Sequence, residues 1–139
     1  MSDSDKTPDQ DLLPAFPKEM GIRLEEATLD LVVGSMAVTA AHSNRNGVMH
    51  GGAIMAFADA LGGVAASLNL SDGNKTTTLE SKTNFLRPIP IGKRITGRCE
   101  PMHKGRKVTI WQTTLYREDN KPAAIVIQTQ LTLVWSPPR

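Results

Sequence analysis

Residues 50–70 read HGGAIMAFADALGGVAASLNL, and this segment constrains the fold more than any other part of the chain. Ile54, Phe57, Leu61, Val64, Ala65 and Leu68 recur at three-to-four spacing, which predicts one helix with a bulky apolar face. Asp59, four glycines and Ser67 break up the apolar run, so it is too short for a membrane span. The bulky face must be buried, and the flanking sequence is strand-like. Residues 21–41 predict two strands, in which Ile22 and Leu24, then Leu29, Leu31 and Val33, alternate with polar partners, and Val38, Thr39 and Ala40 extend the β character. Beyond the helix, strands are predicted over 76–86, 94–102, 108–117 and 123–135, separated by Pro-, Gly- and Asn-containing turns. Short connections favour antiparallel pairing. The order β-β-α-β-β-β-β therefore predicts an α+β protein, one long helix buried against one antiparallel β-sheet.

A chain of 139 residues fits one domain, at about 100–200 residues per domain. Residues 1–19 are acidic and proline-interrupted, without the basic and apolar regions of a signal peptide. They are expected to be a flexible or partly helical lead-in, with the domain over 20–139. A single cysteine, Cys99, excludes a disulfide framework within one chain and fits a reducing, cytoplasmic setting. Aromatic residues at 4% and a net charge of +2 argue against nucleic-acid binding. His42, His50 and His103 lack ligand spacing with acids, so no metal site is expected. Charge is nevertheless uneven: residues 82–107 hold eight Lys and Arg against one acid, Glu100. Such a block suits either an anionic ligand or a solvated strand surface.

Asp59 is the only ionisable group between His50 and Asp72. A carboxylate in so apolar a helix needs a hydrogen-bonding or functional reason. By helical spacing it shares a face with Gly52, Met55, Ala56, Gly62, Gly63 and Ala66, most of them small, so another backbone or a ligand can approach closely. His50-Gly51-Gly52 opens the helix, where free N–H groups and the helix dipole favour an oxyanion. Gly51 and Asp59 are eight residues apart, about 12 Å along a helix. One helix cannot bring both to one carbonyl, whereas two antiparallel copies across a two-fold axis can.

The run Asn44-Arg45-Asn46-Gly47-Val48-Met49-His50-Gly51-Gly52, with Asp59 nine residues after the histidine, resembles the motif of hotdog-fold acyl-CoA thioesterases of the PaaI-like, phenylacetate-pathway type. Phe85-Leu86-Arg87-Pro88, Gly92 and Gly105-Arg106 are similar to further landmarks of that family. The resemblance implies a hotdog fold, a long helix wrapped by an antiparallel sheet, assembled as a homodimer and often a homotetramer. It implies hydrolysis of acyl-CoA thioesters in a cleft between subunits. Asp59 would be nucleophile or general base, the Gly51 N–H the oxyanion donor, and Asn44 and His50 would orient thioester or water. Thr78 would be a hydroxyl lent by the partner subunit. Gly52, Met49, Met55 and Phe85 would line the substrate site, and Arg87, Lys104, Arg106 and Lys107 would meet the phosphates of coenzyme A. Coenzyme A is then part of substrate and product, and no separate cofactor is implied.

Three other functions compete with this one, of which a purely structural dimer fits the full motif poorly. A non-catalytic acyl-CoA-binding or regulatory module of the same fold would have no need of the acid. A hotdog dehydratase or hydratase also uses a histidine and an acid, but its proline- and glycine-rich lead-in to the helix is missing here.

Overall fold

The computed structural model describes residues 7–134. Trp135, expected to close the last strand, lies outside the described residues, as do positions 1–6 of the lead-in. The chain forms α1 (Ala15–Met20), β1 (Arg23–Ala27), β2 (Val32–Ala37), α2 (Gly51–Leu68), β3 (Asn74–Phe85), β4 (Arg94–Lys104), β5 (Val108–Tyr116) and β6 (Pro122–Val134). The strands make one antiparallel sheet in the order β1-β2-β4-β5-β6-β3, with α2 against one face. This is the α+β architecture expected from the sequence. The helix also serves as the crossover between β2 and β3, so β3 lands at the far edge of the sheet, beside β6.

Differences from expectation are local. The β character of Val38-Thr39-Ala40 does not continue as strand; Ala40–His42 forms a 3-10 turn instead. That turn lets the His42 Nε2 bond the Met20 carbonyl at 2.9 Å while Nδ1 accepts from the Thr39 N–H at 3.0 Å. The lead-in is structured over most of its described length. A 3-10 turn at Gln10–Leu12 precedes α1. Gln10 pairs with the Leu24 backbone through bonds of 2.9 and 2.8 Å, and Leu13 and Pro17 are buried.

The core is α2 against one face of the sheet. Phe57, Leu61, Trp111, Leu115 and Cys99 are fully buried. Burying a side chain such as Phe57 or Leu61 contributes about 1.5–3 kcal/mol. Gly34 of β2 and Gly97 of β4 are cross-strand partners, and together they form a floor without side chains. A Cβ on Gly97 would stand 2.5 Å from Phe57 Cε1, and one on Gly34 2.6 Å from Leu61 Cδ2. Glycine inside a strand here permits close approach of the helix. Burial also pushes the Cys99 thiol up to about 11, so Cys99 serves as a packing group.

Gly97→Ala should therefore destabilise the fold by about 1–3 kcal/mol through overpacking. Urea denaturation monitored by tryptophan fluorescence measures this; an unchanged midpoint would show that the helix does not need the glycine floor.

Candidate active site

Asp59 projects from the middle of α2 towards β3 and β6. Thr78 Oγ1 donates to Asp59 Oδ1 at 2.8 Å, and Gln128 Nε2 donates to the same oxygen at 3.3 Å. Gln130 Nε2 in turn donates to Thr78 Oγ1 at 2.7 Å, and Thr76 Oγ1 donates to Gln130 Oε1 at 3.0 Å. Four side chains from two paired strands thus steer one carboxylate oxygen. Oδ2 accepts no hydrogen bond among the described residues, and Asp59 is exposed and lines an open groove of about 470 Å³. A held carboxylate with one free oxygen suits attack on an electrophile or proton removal from water.

Gln128 and Gln130 escaped the sequence reading, although a signal for them existed. In an alternating strand both fall on the inward face, and each is 1% exposed. Two buried amides at that spacing imply a polar group opposite them. The helical-wheel expectation is also corrected. Gly62 and Ala66 do not share the open face with Asp59; they are buried. A Cβ on Gly62 would stand 2.2 Å from Gln128 Cδ. The open face instead carries Ala56, Gly63 and Ser67, with the buried Ala60 at the bottom of the groove.

A second groove, of about 330 Å³, lies at the start of α2 and brings together Asn44, Met49, Gly51, Phe85 and Arg87. His50 is the N-cap of α2, its Nδ1 accepting from the Gly52 N–H at 2.8 Å. The Gly51 N–H has no acceptor among the described residues, which leaves a polarised donor at the positive end of an 18-residue helix. Gly51 lets the Phe85 ring lie against the helix start, since a Cβ there would meet Phe85 Cζ at 3.1 Å. Asn44 Oδ1 accepts from the N–H groups of Asn46 and Val48 at 2.8 and 3.2 Å, so its amide NH₂ remains available. The Arg87-Pro88 turn is braced from just beyond β5: Arg117 bonds the Pro88 carbonyl at 3.1 Å and also pairs with Asp119. That pairing holds the Asp119 carboxyl down to about 2.

The expected residues therefore divide into two half-sites within one chain. Asn44, Gly51, Met49, Phe85 and Arg87 form one, while Asp59 and Thr78 belong to the other. Thr78, expected as a hydroxyl from the partner subunit, bonds the Asp59 of its own chain, because β3 runs beside α2. Met55 is half-buried and lines neither groove. Gly52 lies with His50 and His42 in a third recess behind α1. The cations do not form one patch within the chain. Arg87 sits at the N-terminal end of α2, whereas Lys104, Arg106 and Lys107 lie on or beside the β4–β5 hairpin at its other end. Lys104 is already bonded there to Asp30 at 2.6 Å and to the Leu29 carbonyl at 2.9 Å. Asn69, the C-cap of α2, bonds the same carbonyl, which places this hairpin beyond the helix C-terminus.

The sequence profile of the thioesterase superfamily matches residues 46–124. The 1,4-dihydroxy-2-naphthoyl-CoA hydrolase of Escherichia coli K12 is 30% identical over 102 residues, covering 73% of this chain and 74% of that protein. The thioesterase HI1161 of Haemophilus influenzae superposes with a TM-score of 0.81 at 28% identity, covering 88% of this chain and 86% of the other. The PaaI protein of the E. coli phenylacetic acid degradation operon shares the fold, with a TM-score of 0.80 at 22% identity over 86% and 85% of the two chains.

Thr78→Val removes a donor to Asp59 and leaves the Gln130 amide without its acceptor. The expected cost is about 1–3 kcal/mol, read from the urea midpoint; a variant as stable as the parent would argue against a formed network.

Proposed function

Because the chain belongs to the thioesterase superfamily, and so is a hotdog-fold thioester hydrolase, we propose that it hydrolyses acyl-CoA thioesters at a site shared between two subunits. The observation that carries this reading is the Asp59 carboxylate, held on one oxygen and open to a groove on the other. In this reading the thioester carbonyl carbon lies beside Asp59 Oδ2 of one subunit. Its oxygen accepts the Gly51 N–H of the other, where the helix dipole stabilises the developing oxyanion. Either Asp59 attacks the carbonyl, the C–S bond breaks and water then hydrolyses the resulting acyl–Asp59 anhydride, or Asp59 takes a proton from a water that attacks the carbonyl itself and the C–S bond breaks. In both routes the departing thiolate takes up a proton, and free acid and coenzyme A leave. The Asn44 NH₂ orients thioester or water, and His50 holds the first turn of α2 in shape. Coenzyme A is substrate and product, so the chemistry draws only on this chain and water.

Two observations support the shared site. Gly51 and Asp59 line separate grooves, about 12 Å apart along α2. In addition, β3 is a 12-residue strand at the edge of the sheet, with Leu79 and Phe85 exposed on it. A long unprotected edge is a template for a second strand. Two copies joined there would lay their α2 helices side by side and antiparallel. The partner's Lys104, Arg106 and Lys107 would then approach this chain's Arg87, assembling for the coenzyme A phosphates what one chain keeps apart. A homotetramer would pair two such dimers. The free, buried Cys99 suits work in the cytoplasm.

In a thiol-release assay across aryl-, short- and medium-chain acyl-CoAs, Asp59→Asn should lose at least about 100-fold in kcat/KM with an unchanged circular dichroism spectrum. Asn44→Ala and His50→Ala should lose less. Full turnover by the Asp59→Asn protein would remove the assigned role, and a parent chain that releases no thiol from any of them would favour the binding module.

The shared site has its own test. Asp59→Asn and Asn44→Ala chains, unfolded together and refolded, should recover about a quarter of parental activity, since half the dimers are mixed and each holds one intact site. A mixture no more active than the Asn44→Ala protein alone would place the whole site in one chain.

A further inference from the structure

The two adjacent glycines of α2 differ in a way that packing does not explain. Gly62 is required, because Gln128 occupies the space its side chain would take. Gly63 is not: a Cβ there would meet nothing within 4 Å, and its φ is not in the left-handed region. Glycine is the least favourable residue other than proline inside a helix. Gly63 thus weakens the helix without relieving any contact among the described residues. What it does is widen the groove one helical turn beyond Asp59.

One wall of that groove is the N-terminal segment. Leu12, Pro14 and Phe16 line it together with Ala60, Gly63 and Ser67 of α2, and Thr76 and Thr77 of β3 border it as well. The wall is pinned in place by the Gln10–Leu24 backbone pairing and by the buried Leu13 and Pro17. Phe16 is nonetheless 67% exposed and Leu12 38% exposed, so apolar surface is held open at the mouth of the groove. A carbonyl beside Asp59 would direct its acyl substituent along this trough, past Gly63 about 6 Å further on.

We propose that the trough between Leu12–Phe16 and the α2 face at Ala60, Gly63 and Ser67 receives the acyl group, and that Gly63 and Phe16 set the selectivity for extended apolar acyl chains over short ones. This rests on the reading of Asp59 as the hydrolytic carboxylate, and the two fail separately in the following experiment. Gly63→Ala and Phe16→Ala are compared with the parent on acetyl-CoA and octanoyl-CoA, and in binding the non-hydrolysable thioethers S-methyl-CoA and S-octyl-CoA. Gly63→Ala should fold with an equal or higher melting temperature, and its octanoyl-to-acetyl ratio of kcat/KM should fall by about tenfold or more, the scale of one methyl group in an apolar pocket. Phe16→Ala should lower the same ratio through KM more than through kcat. In both variants S-octyl-CoA binding should weaken relative to S-methyl-CoA. Unchanged ratios in hydrolysis and binding would overturn the proposal. So would loss of the dimer in Gly63→Ala, because the space would then belong to the partner helix. A parent that binds S-octyl-CoA selectively through Gly63 and Phe16 but hydrolyses neither ester would uphold the trough and remove the hydrolytic role of Asp59.

Discussion

The close approach of α2 to the sheet underlies the rest of the structure. Phe57 and Leu61 sink onto backbone at Gly34 and Gly97, where any side chain would collide with them. This contact fixes the depth of the helix and also its rotation about its own axis. A helix held by two large side chains on a glycine floor cannot roll without lifting them out. Asp59 therefore points to one place, the seam of β3 and β6, where it lines the groove with one carboxylate oxygen bonded by Thr78 and Gln128.

The crossover adds a second constraint. Because α2 carries the chain from β2 to the far edge of the sheet, β3 arrives beside the helix at the level of Asp59. Its partner β6 brings Gln128 and Gln130 to the same level through the register Thr78↔Gln130 and Ser81↔Gln128. A carboxylate anchored on only one oxygen combines fixed direction with chemical availability. The same crossover leaves β3 at an edge, so the feature that completes the surroundings of Asp59 also presents the surface on which a second subunit would bring Gly51.

Much of this was legible in the chain. The helix at residues 50–70 is observed over Gly51–Leu68, ended earlier by Asn69, whose side chain bonds the Ala65 carbonyl. All six strands were anticipated within a few residues at each end. The motif residues Asn44, Gly51 and Asp59 are set apart by type and spacing, and the structure gives each a free hydrogen-bonding group. Less legible were the contributions of distant segments. The partners of Asp59 are 19 and 69 residues away in sequence, and their alignment depends on strand register, including the bulge between Thr78 and Glu80. The lead-in reads as flexible or partly helical because its prolines and acids carry no period. Its docking depends on single groups, Gln10, Leu13 and Pro17, meeting a surface that exists only once the sheet has formed.

By itself, then, the sequence determined the order of elements, the helix with its one acid and the glycine-opened helix start, because periodicity and local backbone preference act within a few residues. It also determined that one chain separates Gly51 from Asp59, because helix rise is a constant. Only the tertiary structure decided which face of α2 is open, which side chains hold Asp59, where the cations lie and what walls the groove. Those depend on register and helix rotation, which are set by long-range packing of Phe57 and Leu61 onto two strands whose glycines give no local sign of what will rest on them.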